Sequence, residues 1–447
     1  MEKRQAVKSL KVIHEQAAGL DVGSEKIHVS IGGDTPRVFA TPTASLYALR
    51  DWLKGAGVQT VALEATGVYW LCIHEILVAA GLEVVVVNGK HVQNLPGRKT
   101  DMKDCQWLAT LHGHGLLRGG FVPAAEIRQL QDYMRLRQDH ISLAAAHVQH
   151  MQKALERMNL KVHDVLSSLT GVSGMTLIAA ILQGCRAPEE LVELADKSVL
   201  KKKREQLLAA LHGHWKEEHL FALRQAHELW NVYQGKIREC DQRIEALLKA
   251  QTADLPPPPE SGAPTRPKTR AQNAPQIENL HRMLQQLCGG DPTAIPGVTD
   301  YSLLSLISET GTDLTQWPSV KAFTAWLGLA PGSHQSGKRR GRVSLQRNRA
   351  GRLFCVLARS LAKSVNKALG SFYRRLRARR GGLIANQALA RKLAELYWRT
   401  FTKGLAYVEQ GLVAYEAKLR HQDQSFLSKL AAKLGFGLTP LPTSVHG

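Results

Sequence analysis

The chain has 447 residues, 44% of them hydrophobic, enough to bury cores in two or three domains without disulfide or metal staples. Its 59 Lys and Arg outnumber 38 Asp and Glu, a formal charge of +21, which implies a polyanionic partner, nucleic acid ahead of a membrane surface. Residues 1–15 are charged and lack a signal peptide's apolar run, and no later stretch could span a bilayer, so a cytoplasmic protein without membrane contact is expected.

In chain order, Ala18 to Val22, Ile27 to Ile31 and Arg37 to Thr41 read as a three-strand meander with Gly-rich turns. A helix over Ser45 to Lys54, a buried strand over Val58 to Glu64, a helix over Tyr69 to Ala80, a Val-rich strand over Leu82 to Val87 and a helix over Thr100 to His114 complete an α/β unit. Beyond Pro123 the spacing is helical over Ile127 to Leu169 and Leu200 to Ala250, predicting antiparallel or coiled-coil helices. Asp254 to Pro275, with four consecutive prolines, is a linker or disordered insertion. A helix over Ile277 to Leu287, the segment Ile295 to Thr310 and a strongly basic, mainly helical region follow. The expected division is 1–122, 123–253, 254–276, 277–422 and a tail, 423–447. Six cysteines (Cys72, Cys105, Cys185, Cys240, Cys288, Cys355) form no CxxC pair and are expected to be reduced.

Four carboxylates stand out. Asp21 ends the first strand between glycines, and Glu64 ends the fourth; if those strands are neighbours, the two side chains meet at one edge. Asp101 and Asp104, three apart, share a helix face. Singly, each has an ordinary reading as a turn former, a helix-start acid or a surface group. Jointly they repel, a like-charge pair at ~4 Å costing about 4 kcal/mol at an effective dielectric near 20, so the site calls for a cation. Hard oxygen donors select Mg²⁺ or Mn²⁺.

The segments Gly19-Leu20-Asp21-Val22-Gly23, Leu63-Glu64-Ala65-Thr66-Gly67 and Arg98-Lys99-Thr100-Asp101-Met102-Lys103-Asp104 resemble the N-terminal motifs of the IS110/IS1111 transposases. That resemblance implies a RuvC-like, RNase H-type domain with Asp21, Glu64, Asp101 and Asp104 as catalytic metal ligands.

A second constellation follows Trp326: Leu327-Gly328-Leu329-Ala330-Pro331, then Ser333, Ser336-Gly337, Lys338, Arg339, Arg340 and Arg342. On spacing alone it reads as a solvated loop whose cations contact phosphate. The resemblance extends here, to a C-terminal domain whose Leu-Gly-Leu-x-Pro and Ser-Gly motifs supply a nucleophile that joins covalently to DNA, implying Ser336, with Ser333 as the alternative. Lys338, Arg339, Arg340, Arg342, Arg347, Arg349 and Arg352 are the expected nucleic-acid contacts. Arg374, Arg375, Arg377, Arg379 and Arg380, with Phe372, Tyr373 and Trp398 interleaved, extend that surface. Ile295-Pro296-Gly297-Val298-Thr299 resembles the start of a helix-hairpin-helix, with Thr299 in place of the second glycine.

The resemblance further implies a non-coding guide RNA pairing with donor and target DNA, and a homo-oligomer. Three rivals remain at this level: a RuvC-like junction-resolving nuclease that uses water, a non-catalytic nucleic-acid binder, and an actin-like ATPase. The last is suggested by Leu20-Asp21-Val22-Gly23-Ser24 but lacks a second phosphate loop, since neither Asp300 nor Asp313 is followed by x-Gly.

Overall fold

The computed structural model describes residues 11–87, 101–258, 273–331, 334–336, 339–341, 346–363, 368–404, 406, 417, 421 and 424–438, with the side chains of 101–103, 334–336, 339–341 and 368 outside that description. The chain divides into two compact units, one up to Val122 and the other from Pro123.

In the first unit, β1 (Ala17–Val22), β2 (Lys26–Ile31) and β3 (Arg37–Ala40) form the expected antiparallel meander, and β4 (Thr60–Glu64) and β5 (Glu83–Val87) add in parallel on the other side of β1. The sheet order is β3-β2-β1-β4-β5. Because side chains alternate along a strand, the two faces differ in kind. Leu20, Val22, Ile27, Val29, Val61 and Leu63 share one face and pack against Leu46, Leu49 and Leu53 of α1 (Thr43–Gly55) and Ile73 and Leu77 of α2 (Trp70–Ala79). The opposite face is lined by small residues, Ala17, Gly19, Ser30, Thr60 and Ala62.

Across that small face lies α3 (Asp101–Gly113), close enough that a Cβ on Gly19 would collide with the backbone nitrogen of Ala109 and the carbonyl of Cys105. Further along, His112 Nε2 is 2.8 Å from Thr60 Oγ1. Thr60 is level with Ala17 in the β1–β4 register, so α3 runs antiparallel to β1 and its first turn lies at the Asp21 end.

His112 is buried and stacks on His14, and burial, reinforced by the His14 charge, lowers its pKa from 6.5 to about 4, against a smaller opposing pull from Glu83. Between those values the unfolded chain binds a proton that the folded chain refuses, so stability is lost as pH falls from 6.5 towards 4, by on the order of 2 kcal/mol. Denaturant midpoints of this unit should fall through that window, and His112→Gln, which keeps a partner for Thr60 without titrating, should flatten the fall. An unchanged acid limb in the variant would remove His112 as its source.

The second unit is helical. α4 (Ala125–Arg157) and α9 (Glu217–Thr252) lie antiparallel: Gln251 Nε2 donates to Glu126 O (3.3 Å), Arg137 pairs with Asp241, and His147 stacks on Tyr233. Sequence periodicity predicts unbroken helices to Leu169 and from Leu200. Instead α4 stops at Arg157, where Asn159 takes the left-handed conformation, and the chain breaks again at Gly213, which packs against Leu160. Between the breaks, α5 (Val162–Val165), α6 (Val172–Leu182), α7 (Pro188–Glu193) and α8 (Lys197–Leu211) close over Met151 and Leu155 of α4 and Leu220 and Leu223 of α9.

The fully buried Arg137 donates through Nε to Asp241 Oδ1 (2.6 Å) and through Nη2 to Asn273 O (2.9 Å), while the Gln276 amide donates to Asp241 Oδ2 (3.0 Å). Every charge in this buried pair thus has a partner, the condition under which such a pair is tolerated. Residues 259–272, most of the proline-rich segment, lie outside the described residues; on their near side Gln286 Nε2 of α10 (Leu280–Cys288) donates to Pro256 O (3.4 Å). α11 (Asp300–Thr310) docks on α4 through Glu309, held by Arg135 Nε (3.0 Å) and Nη2 (2.8 Å). Thr299 is its N-cap, sharing a capping box with Ser302. α12 (Val320–Trp326), α13 (Arg349–Ala362), α14 (Ala368–Arg380) and α15 (Gly382–Lys403) complete the fold around Phe323, Phe354 and Tyr397, whose hydroxyl lies 3.1 Å from Thr310 Oγ1.

Candidate active site

Parallel pairing of β1 with β4 sets Leu20 level with Leu63, so Asp21 and Glu64 occupy the next positions on neighbouring strands and on the face that α3 covers. Both are half-buried. The tight seat of α3 on Gly19 brings its N-terminal turn, carrying Asp101 and Asp104, to the same end; the Asp101 side chain lies outside the described residues. The buried Cys105 thiol registers the local field. Its pKa is pushed up to about 12, first by burial and then by the charge of Asp21, with a smaller push from Asp104. Two carboxylates therefore project negative potential onto one point beside β1, and the donor set is hard oxygen, a fit for Mg²⁺ or Mn²⁺.

Sequence reasoning missed His28, the register partner of Asp21 on β2 and on the same face. The signal was available in the meander, since a tight β1–β2 turn fixes which residues stand opposite. Among the described residues, a compact set of His and carboxylate ligand atoms occurs elsewhere, in Glu156 of the last turn of α4 and His163 and Asp164 of α5. There Lys161 already pairs with Glu156 and supplies the positive charge.

The serine segment is a two-stranded ribbon rather than a plain loop: β6 (His334–Ser336) and β7 (Arg339–Gly341) are antiparallel, with Ser336 level with Arg339. Ser333, Lys338 and Arg342 lie outside the described residues, and of Arg339 and Arg340 the strand alone is described. The ribbon springs from a closed base. A Cβ on Gly351 would sit on the Leu327 carbonyl, and one on Gly328, whose φ is +71°, would meet Gln346 O. Asn348 caps α13 by accepting from the Gly351 amide (2.8 Å) and donates to Trp326 O (3.1 Å), tying α12 to α13. Sequence reasoning assigned no part to Asn348 or Gly351.

Residues 18–160 match the family model of the IS110-type DEDD transposase, and residues 293–374 match that of the IS116/IS110/IS902 transposase family. The first match contains Asp21, Glu64, Asp101 and Asp104, and the second contains the serine ribbon and α13. The chain belongs to the IS110 family of transposases. No curated protein matches it. As an insertion-sequence transposase it acts on DNA and is an enzyme of DNA recombination. No helix among the described residues is long and apolar enough to cross a membrane.

Of the cations expected to contact nucleic acid, Arg349 and Arg352 stand exposed on α13 of the transposase. Arg347 is half-buried, its Nη2 3.3 Å from Gln387 Oε1 of α15.

Proposed function

We propose that this transposase cuts and rejoins DNA with a serine nucleophile, Ser336 or failing that Ser333, assisted by Mg²⁺ or Mn²⁺ on a RuvC-like, RNase H-type carboxylate set of Asp21, Glu64, Asp101 and Asp104. The observation that carries the reading is the β1–β4 register together with the seat of α3, which gathers carboxylates from three elements at one strand end. A bound cation there supplies neutralising charge for a scissile phosphate and a lowered pKa for a hydroxyl. The serine oxygen displaces a deoxyribose oxygen from phosphorus, the bond energy is kept as a phosphoserine ester, and a hydroxyl of another strand reverses the step. Basic side chains following the serine hold the phosphate and stabilise its developing charge.

The family resemblance supports three further parts. A non-coding guide RNA pairs with donor and target DNA, so that the protein reads backbone and shape; a homo-oligomer completes the site, carboxylates of one subunit with the serine of another; and the work is done in the cytoplasm, on the nucleoid. The test of guidance is to purify the protein with its bound RNA and sequence it. A discrete species mapping beside the gene is expected; bulk ribosomal fragments would reduce the RNA association to that of a generic binder.

A further inference from the structure

Between Asp313 and Glu395 the chain contains no carboxylate, against 18 Lys and Arg. On α13 this bias is sorted by geometry. Ala350, Gly351, Phe354, Leu357, Ala358 and Leu361 are buried, whereas Arg349, Arg352, Val356, Arg359 and Lys363 are exposed. Steps of three, four, three and four residues keep those five on one stripe of the helix. At 1.5 Å per residue the stripe runs about 21 Å, the rise of roughly six base pairs. An ordinary solvated helix face mixes both signs of charge; this one has cations alone, with Val356 57% exposed at its centre. The positive field reaches the flank of the helix, where Arg347 and Arg359 oppose the upward push of burial on the Cys355 thiol.

We propose that the outer face of α13 is a track for duplex DNA: Arg349, Arg352, Arg359 and Lys363 contact successive phosphates, and Val356 lies against sugar or base-edge carbon. Arg359 and Lys363 thereby become binding residues that the motif around the serine does not contain. DNA rather than RNA is the occupant because the closed base of Gly328, Asn348 and Gly351 ties α13 to the end of α12, from which the chain runs on into β6 and Ser336. The choice of DNA rests on the reading of Ser336 as the nucleophile; the stripe does not.

The test measures the affinity of the full-length protein for a 30-bp duplex DNA, and for a 30-nucleotide RNA, across a salt series. Removing one cation from a phosphate reduces the slope of log K against log salt by about 0.9 for duplex DNA. Arg359→Gln/Lys363→Gln should therefore lower the duplex slope by about 2, and Arg359→Lys/Lys363→Arg should restore it. Lys201→Gln/Lys202→Gln on α8, which removes the same net charge, should leave it unchanged. An unchanged duplex slope in the α13 variant overturns the proposal, as does an equal loss in the α8 variant. A fall confined to the RNA series overturns the choice of DNA. Because the readout is binding, failure of Ser336 as nucleophile would leave these slopes untouched, and the two readings fail separately.

Discussion

Ser336→Ala is expected to lose both the covalent protein–DNA adduct and all recombination while still binding DNA. If a serine attacks, the cut strand must remain attached to the protein until it is rejoined, because the ester preserves the energy of the broken phosphodiester. A nicked suicide substrate, denatured and digested after reaction, should yield one DNA-linked peptide containing Ser336. The substitution removes only a hydroxyl from the ribbon end opposite Arg339, so affinity for uncut DNA should stay within about twofold. Ser333→Ala should be milder. An adduct that survives Ser336→Ala and vanishes in Ser333→Ala would transfer the role to Ser333. DNA cleavage by the wild type with no adduct at all would establish a water-using nuclease.

Asp21→Asn carries the other large effect. Asn keeps the shape of the side chain and removes one hard anionic donor from the proposed metal-holding set. A transition-state contribution of several kcal/mol from metal assistance corresponds to ~10³-fold or more in rate, so recombination should fall below detection and divalent-ion affinity should drop with it. The fold should survive: in chelator the variant should unfold as cooperatively as the wild type, since Asn preserves the side chain's shape and an oxygen that accepts hydrogen bonds. Full activity would remove Asp21 from the site. A lower melting temperature in chelator together with unaltered metal binding would make it a structural residue instead.

The strands of the first unit were legible because they are short apolar runs bounded by glycine or, after β3, by Pro42, and a parallel neighbour for β1 follows once β4 is reached through a helix. The seat of α3 was not legible. Gly19 reads locally as part of an open turn motif, and its actual role, admitting a helix backbone, exists only after the fold has formed. The break after Arg157 hides for a similar reason: apolar spacing continues through Asn159, and a single left-handed residue ends the helix without disturbing the pattern around it. In the C-terminal region, charge counting found the basic run after the serine. It did not separate Arg347, turned towards Gln387, from Arg349 and Arg352, because exposure there depends on how the helix is turned to set Phe354 against Tyr397.

The anchoring of the proline-rich connection has a consequence for engineering the enzyme. Pro256 is pinned from α10 and Asn273 from α4, so the scaffold on either side is secured independently of what joins those points. For a flexible linker inserted between such points the closure cost grows only logarithmically, about 0.6 kcal/mol for each doubling of its length. Residues 259–272 are therefore the natural port for grafting a fluorescent reporter or an effector domain, cargo that leaves both the carboxylate face and the serine ribbon to their own supports.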